Sequence, residues 1–328
     1  MKKVVSKLIP VIYNDIEYPS PIKANIHEIA GNFDVEDIMV DTHYSLHTEY
    51  SFGKRSFKLN IFNNLKHITS AQKNGIPQLW YNKEWAEHFL LFIERLIDSN
   101  DEKPPEVLEI HPPFVDYCSS FKDFMEIFKG FYVNFKGKYP STKILIENRY
   151  GTMNKNDFLL SKSLDVLEFC KVLSSPEYSD IDLKIVLDYP QLFSAEKINL
   201  DTLNENDLKI ITLFNKNLIE YRRKIGGLHM WGKRKDKKGK WAPHQGDFDT
   251  FFSNREELKL EFLSSVFSTF NDDMARYFVP EVNSRKGVHS VVKNMIKAKF
   301  NFESHIIKTK VVTPSVRNKN PTMSLCDI

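Results

Sequence analysis

Five ionisable residues recur along the chain at the ends of short apolar runs. His111 closes V-L-E-I-H, Glu147 closes K-I-L-I-E, Asp188 closes L-K-I-V-L-D, His229 closes G-G-L-H, and Glu281 follows Y-F-V-P. They stand about 40 residues apart, with a last step of about 50, which suits one strand and one helix each. Histidine and carboxylate together select divalent ions of intermediate hardness: zinc, manganese or iron. Burying several such groups in one place without a partner is costly, and a multivalent cation is the natural partner. Each residue also has an ordinary alternative. His111 precedes Pro112 and reads as a loop histidine, Asp188 precedes Tyr189-Pro190 and reads as a cap, and Glu147 can pair with Arg149. Five in register favours the metal reading.

Further candidates lie between Lys224 and Phe248. The strand carrying His229 runs into a loop with a basic run, Lys233 to Lys240, and the loop closes on His244 and Asp247. Lys233 and Arg234 are placed to attract an anionic substrate, although such a run is most often a solvated loop. Trp231 and Trp241 bracket it, as core residues or as a stacking surface. Upstream, Asp37–Val40 reads as a strand delivering Asp41, His43 and His47, of which His43 is taken as the ligand. His67, His88 and His289 lie on helical stretches and read as ordinary surface or packing residues.

The elements that must position these groups alternate. Strands are expected at Leu8–Tyr13, before His111, and at each later strand-end residue. Ile22–Ile29 fits strand or helix. Helices are expected near Asn60–Ser70 and over Lys83–Ser99, Phe121–Phe135, Leu160–Leu173, Asn206–Arg222, Arg255–Phe270 and His289–Phe300. Near-continuous apolar strands alternating with helices imply a parallel sheet buried on both faces, and this many units favour a closed (β/α)8 barrel. In such a barrel the strand ends converge on one mouth. The expected organisation is a single barrel domain over 1–308 with an irregular N-terminal region, followed by a basic, loosely held tail over 309–328.

Composition limits the function. The 328 residues are 41% hydrophobic, with 25 phenylalanines, and the net charge is +3. That is ample for a large core and gives no global nucleic-acid signature. No run approaches the ~18 apolar residues of a membrane span. The three cysteines lack metal or redox spacing, and with no cleavable leader in evidence a reducing, cytoplasmic setting is the simplest reading.

The succession His111, Glu147, Asp188, His229, Glu281 resembles the xylose-isomerase-like barrel superfamily. Within it, the order is most similar to the endonuclease IV branch, the second AP-endonuclease family, over about residues 37–300. Two departures stand out. Gln191 occupies the place of a histidine three residues after the aspartate, and His244-Gln245-Gly246-Asp247 replaces an Asp-x-His pair. The resemblance implies a metal-dependent enzyme, with one or two ions in place of a full three-metal cluster. The expected activity is hydrolysis of a phosphate-bearing small molecule or nucleic acid. Glu147, Glu281 and His244 are the expected catalytic groups, and Trp231, Lys233, Arg234, Gln191 and Arg149 are expected near substrate. The same superfamily leaves a sugar isomerase or epimerase, a multi-iron peptide-modifying enzyme and a non-catalytic binding barrel as alternatives.

Overall fold

Eight strands pair in parallel, each with its neighbour in sequence, and the eighth returns to the first, so the sheet closes into a (β/α)8 barrel. The structure is a computed structural model and describes residues 6–33, 35, 37–48, 65–70, 72–73, 76–151 and 157–303. The strands are β1 (Lys7–Ile12), β2 (Ile26–Ala30), β3 (His43–His47), β4 (Val107–Ile110), β5 (Lys143–Glu147), β6 (Leu183–Asp188), β7 (Ile225–His229) and β8 (Ala275–Val279). Helices follow from the third strand onward: α1 (Lys83–Ser99), α2 (Phe121–Lys138), α3 (Ser163–Leu173), α4 (Glu205–Leu218), α5 (Glu256–Phe270) and α6 (Arg285–Lys297). The first connection, residues 13–25, carries no helix, which is how a short N-terminal region supplies two strands. The tail over 309–328 lies outside the described residues.

The helices hold the barrel through aromatics. On α2, Phe121, Phe124, Phe128, Phe131 and Phe135 recur at helical spacing and are buried. Trp80 packs against Phe124 and Phe131 and Phe89 against Phe131, with ring centroids 5.4–5.5 Å apart, and Trp85 lies 5.0 Å from both Trp80 and Phe89. Each fully buried ring contributes about 1.5–3 kcal/mol. Side chains that accept from the first-turn amides start the helices: Asn82 for α1, Ser120 for α2, Asn204 for α4 and Ser284 for α6. Ser284 starts α6 at Arg285, four residues before the His289 start expected from apolar spacing.

One strand departs from the expected register. Asp37–Val40 is not a strand. Ile38 N–H donates to Ser99 Oγ at 3.0 Å and Val40 N–H donates to Asn100 Oδ1 at 2.7 Å, so this segment is spent tying down the end of α1. The strand begins at His43 and ends at His47.

Inside the barrel the period of two sets the layers. Val107, Leu145 and Val186 form one apolar cluster with Tyr277, and Ile9, Val11, Ile26 and Val279 form another. Two residues further along the same strands stand Glu109, Glu147, Asp188, Glu28 and Glu281. Polar ends therefore sit above an apolar floor. Between β6 and β7 the register shifts, with Ile185 opposite Ile225 and Val186 opposite Gly227. Gly226 is the extra residue there, and a Cβ on it would lie 2.6 Å from Leu145 Cδ2. Behind β8, at the opposite end from the mouth, Arg276 is fully buried and grips Asp272 with two hydrogen bonds of 2.7 and 2.8 Å.

Candidate metal centre

Eight buried or nearly buried side chains converge at the C-terminal ends of the strands. Four overlapping triads have ligand atoms within 4.8 Å of one another: His47–His111–Glu147, Glu28–His47–Glu281, Glu109–Glu147–His229 and Asp188–His229–Glu281. At one pole, His47 Nε2 lies 3.1 Å from His111 Nε2 and 3.3 Å from Glu147 Oε2, and His111 Nε2 lies 2.7 Å from the same oxygen. At the other pole, His229 Nδ1 lies 3.3 Å from Glu281 Oε1 and His229 Nε2 lies 3.4 Å from Glu109 Oε1. Glu109 also reaches His47 Nε2 at 3.5 Å, and Glu28 reaches His47 Nδ1 at 3.4 Å.

Neighbours fix these groups. Trp80 Nε1–H donates to the His111 carbonyl at 2.8 Å. Asn148 ties Asp188 on both sides of its backbone, accepting from its N–H at 2.9 Å and donating to its carbonyl at 3.1 Å. Asp188 caps the short helix Tyr189–Ala195 by accepting from Gln191 N–H at 2.9 Å, and its other oxygen accepts from Trp231 Nε1–H at 2.8 Å.

The electrostatics are those of too many carboxylates in too little water. Burial, then the charges of Glu147 and Glu281, hold the Asp188 carboxyl well above its usual range. Burial also raises Glu28. Burial opposes ionisation of Glu147, yet hydrogen bonds from His111 and His47 hold it well below the usual range. Burial and then the Arg149 guanidinium push His111 down to about 4, leaving it a neutral ring with a lone pair. Burial works against a charge on His47 and His229 too, but Glu109 with Glu147 and Glu28 around the first, and Glu109 with Glu281 around the second, hold both well above the ordinary value.

This donor set fits a metal ion. Glu28 Oε2, Glu109 Oε1 and His229 Nδ1 are buried and make no hydrogen bond. Two ring nitrogens and a carboxylate oxygen meet within about 3 Å, where one proton can serve only one lone pair and a divalent ion serves all three. Mixed imidazole and carboxylate donors suit zinc, manganese or iron.

The residues expected at the site fall into three groups. His111, Glu147, Asp188, His229 and Glu281 meet at the mouth. His244, Gln191 and Arg149 line the polar pocket above them, of about 350 Å³. His244 comes from the hairpin of strands Gly232–Lys235 and Trp241–Gly246, sits at φ +58°, stacks on Trp231 at 4.2 Å and directs Nδ1 at the Glu281 carbonyl, 3.0 Å away. It joins none of the four triads. Arg149 NH1 reaches His111 Nε2 at 2.9 Å. Trp231 is buried behind His244 and holds Asp188. Lys233 is half-buried, its ammonium donating to Ser194 Oγ at 2.6 Å, and Arg234 is exposed on the hairpin; neither lines the pocket.

Two expected ligands lie outside the four triads. His43 begins β3 and is exposed at the opposite end of the strand, because the register set by Ser99 and Asn100 brings His47 to the mouth. Asp247 caps the short helix Phe248–Phe251, accepting from Thr250 N–H at 3.0 Å, so its carboxylate serves that turn. Two residues were missed. Glu109 lies two residues before His111, and a strand's period of two puts both on one face; a carboxylate inside V-L-E-I was the signal. Glu28 lies in the ambiguous Ile22–Ile29 stretch, where only a strand assignment would have pointed it inward.

No protein-family model matches the chain, and no curated protein matches it. Solved structures show distant likeness. A xylose isomerase domain protein from Planctomyces limnophilus is 12% identical, with 65% of this chain and 62% of that chain covered and a TM-score of 0.34. An endo-beta-mannanase/endo-beta-glucanase from Prevotella bryantii is 8% identical, with 81% and 48% covered and a TM-score of 0.33. A GH5-4 broad specificity endoglucanase from an uncultured bacterium is 9% identical, with 78% and 71% covered and a TM-score of 0.38. The chain thus spans less than two thirds of the first two. At these scores the likenesses add nothing to the barrel read from strand pairing.

Proposed function

We propose that the mouth is the divalent metal centre of an enzyme that hydrolyses a phosphate ester. The observation that carries this reading is the surplus of buried carboxylates around His47, His111 and His229, opening on a small polar pocket with a guanidinium at its wall. Glu147, Asp188 and Glu281, with His47, His111 and His229, are the residues that would hold one or two ions. A bound divalent ion supplies positive charge for the developing charge on a phosphoryl group and makes water nucleophilic near neutral pH. The protein's own groups do the rest. Among the described residues Arg149 is the one permanent cation lining the pocket, and it binds a phosphate oxygen. Gln191, Asn14 and Asn283 present amides that orient the ester. His244 donates through Nδ1 to the Glu281 carbonyl, which leaves Nε2 free to take a proton from the attacking water and return it to the leaving group.

A pocket of about 350 Å³ with a single lining cation among the described residues favours a small phosphoester over a polymer. A second reading, a sugar isomerase or epimerase, is supported by the same small volume and amide-rich lining, with Glu147 and Glu281 moving protons. The test is chelation followed by reconstitution with zinc, manganese or ferrous iron, assayed on p-nitrophenyl phosphate and bis-p-nitrophenyl phosphate. Hydrolysis that vanishes on chelation, returns with metal and is lost in Glu147→Gln supports the hydrolase. A fully reconstituted protein that hydrolyses neither ester but interconverts an aldose and a ketose supports the second reading.

A further inference from the structure

Away from the mouth lies a groove of about 890 Å³ between α6 and the start of α5, lined by Arg285, Lys286, His289, Lys293 and Lys297 on one wall and by Asp249, Asn254, Glu256 and Lys259 on the other. We propose that this groove docks an acidic peptide segment.

Helix α6 has two faces. Val288, Val291, Val292 and Met295 are buried, while Arg285, Lys286, Lys293 and Lys297 are exposed, and the helix holds no acidic residue. None of these four side chains makes a hydrogen bond or ion pair among the described residues. Lys259 across the groove differs, being held by both Asp249 and Glu256. Arg285 and Lys286 also occupy the first turn, the end at which the helix dipole disfavours cations. Their placement is poor for the helix and good for a bound anion.

The lining selects among anions. Single-stranded nucleic acid is held by several aromatic side chains on which successive bases stack, and among the described residues the groove offers no Phe, Tyr or Trp and His289 as its one ring. A peptide offers carboxylates to α6 and backbone groups to Asn254 and Ser290. From Arg285 to Lys297 the helix rises about 18 Å, room for about five extended residues. The groove starts at the rim of the mouth, since Asn283 lines the mouth pocket and Arg285 lines the groove. This inference does not depend on what the metal centre does.

The test is fluorescence anisotropy with the full chain at about 50 mM salt. The probe is a labelled glutamate-rich peptide of about a dozen residues, with its glutamine counterpart and an oligothymidylate of similar length as controls. The expected result is saturable, salt-weakened binding of the glutamate peptide alone. Arg285→Glu with Lys293→Glu should weaken it about tenfold or more, and Lys237→Glu with Lys238→Glu, the same charge change on the hairpin, should leave it unchanged. If the groove variant fails a thermal-melting check for folding, Lys286→Gln with Lys297→Gln takes its place. Failure of the native chain to bind the peptide, equal loss in the hairpin variant, or tighter binding of the oligothymidylate overturns the proposal.

Discussion

The two ends of the barrel bury charge in opposite ways. Behind β8, two guanidiniums meet one carboxylate: Arg276 and Asp272 share two hydrogen bonds, Arg222 Nε lies 3.3 Å from the same carboxylate, Arg276 donates also to the Arg222 carbonyl at 2.9 Å, and the Phe270 ring lies 4.7 Å from the Arg276 guanidinium. The one carboxylate is more than matched by the cations around it, although Arg276 Nε is buried without a hydrogen bond. At the mouth, five carboxylates (Glu28, Glu109, Glu147, Asp188 and Glu281) surround three histidines, and buried atoms of Glu28, Glu109 and His229 find no hydrogen bond. Burial alone therefore does not separate a structural ion pair from a site. Whether the charges close on themselves does.

The largest effect expected is at the closed end. Arg276→Met removes both charge-assisted hydrogen bonds from buried Asp272, leaves it Arg222 at 3.3 Å, and should cost about 3 kcal/mol or more of stability, read as a lower midpoint in urea unfolding. At the open end, a charge removal should cost metal and not fold. Glu147→Gln should weaken divalent-ion binding by about a hundredfold, roughly 2.7 kcal/mol at 1.36 kcal/mol per decade, with the metal-free melting temperature held or raised. Equal destabilisation by the two substitutions would erase the contrast.

How much of this was legible in the sequence follows from how local each cause is. A strand's end is set by a few residues, so His111, Glu147, Asp188, His229 and Glu281 could be read as one ring once the strands were counted. The barrel itself followed from that alternation. Register is not local. His47 replaces His43 because Ile38 and Val40 bond to Ser99 and Asn100, some sixty residues away, and nothing near His43 says so. Glu109 was hidden because a run such as V-L-E-I reads as core; only closure of the barrel gives it a polar interior. Asp247 differs in the opposite sense: its spacing to Thr250 is that of a helix cap, and the structure uses it as one. The pair Arg276–Asp272 carries no chemistry-like spacing and went unremarked.

Two smaller effects sharpen the comparison. Arg276 and its neighbours hold the Asp272 carboxyl below its ordinary value, against the opposing effect of burial. A depressed carboxyl contributes stability that is present above its unfolded value, roughly 4, and is lost as pH falls through the folded value. Acid unfolding below about pH 4 should therefore steepen in the native chain, and Arg276→Met should flatten that limb; an unchanged acid limb would mean the pair is not coupled to folding. Smallest of all, His43→Ala should change stability by less than about 0.5 kcal/mol and leave metal content untouched, whereas His47→Ala should lower metal content. Metal loss in His43→Ala would restore the discarded ligand.

The central claim is that the mouth is incomplete without a divalent ion. Equilibrium dialysis of the metal-free chain against zinc, manganese and ferrous iron, followed by elemental analysis, tests it most directly. About one to two equivalents of at least one of these ions per chain are expected, lost in Glu147→Gln and kept in His43→Ala. Less than about half an equivalent of every ion under those conditions would contradict it, and the eight converging side chains would then be a self-contained polar core.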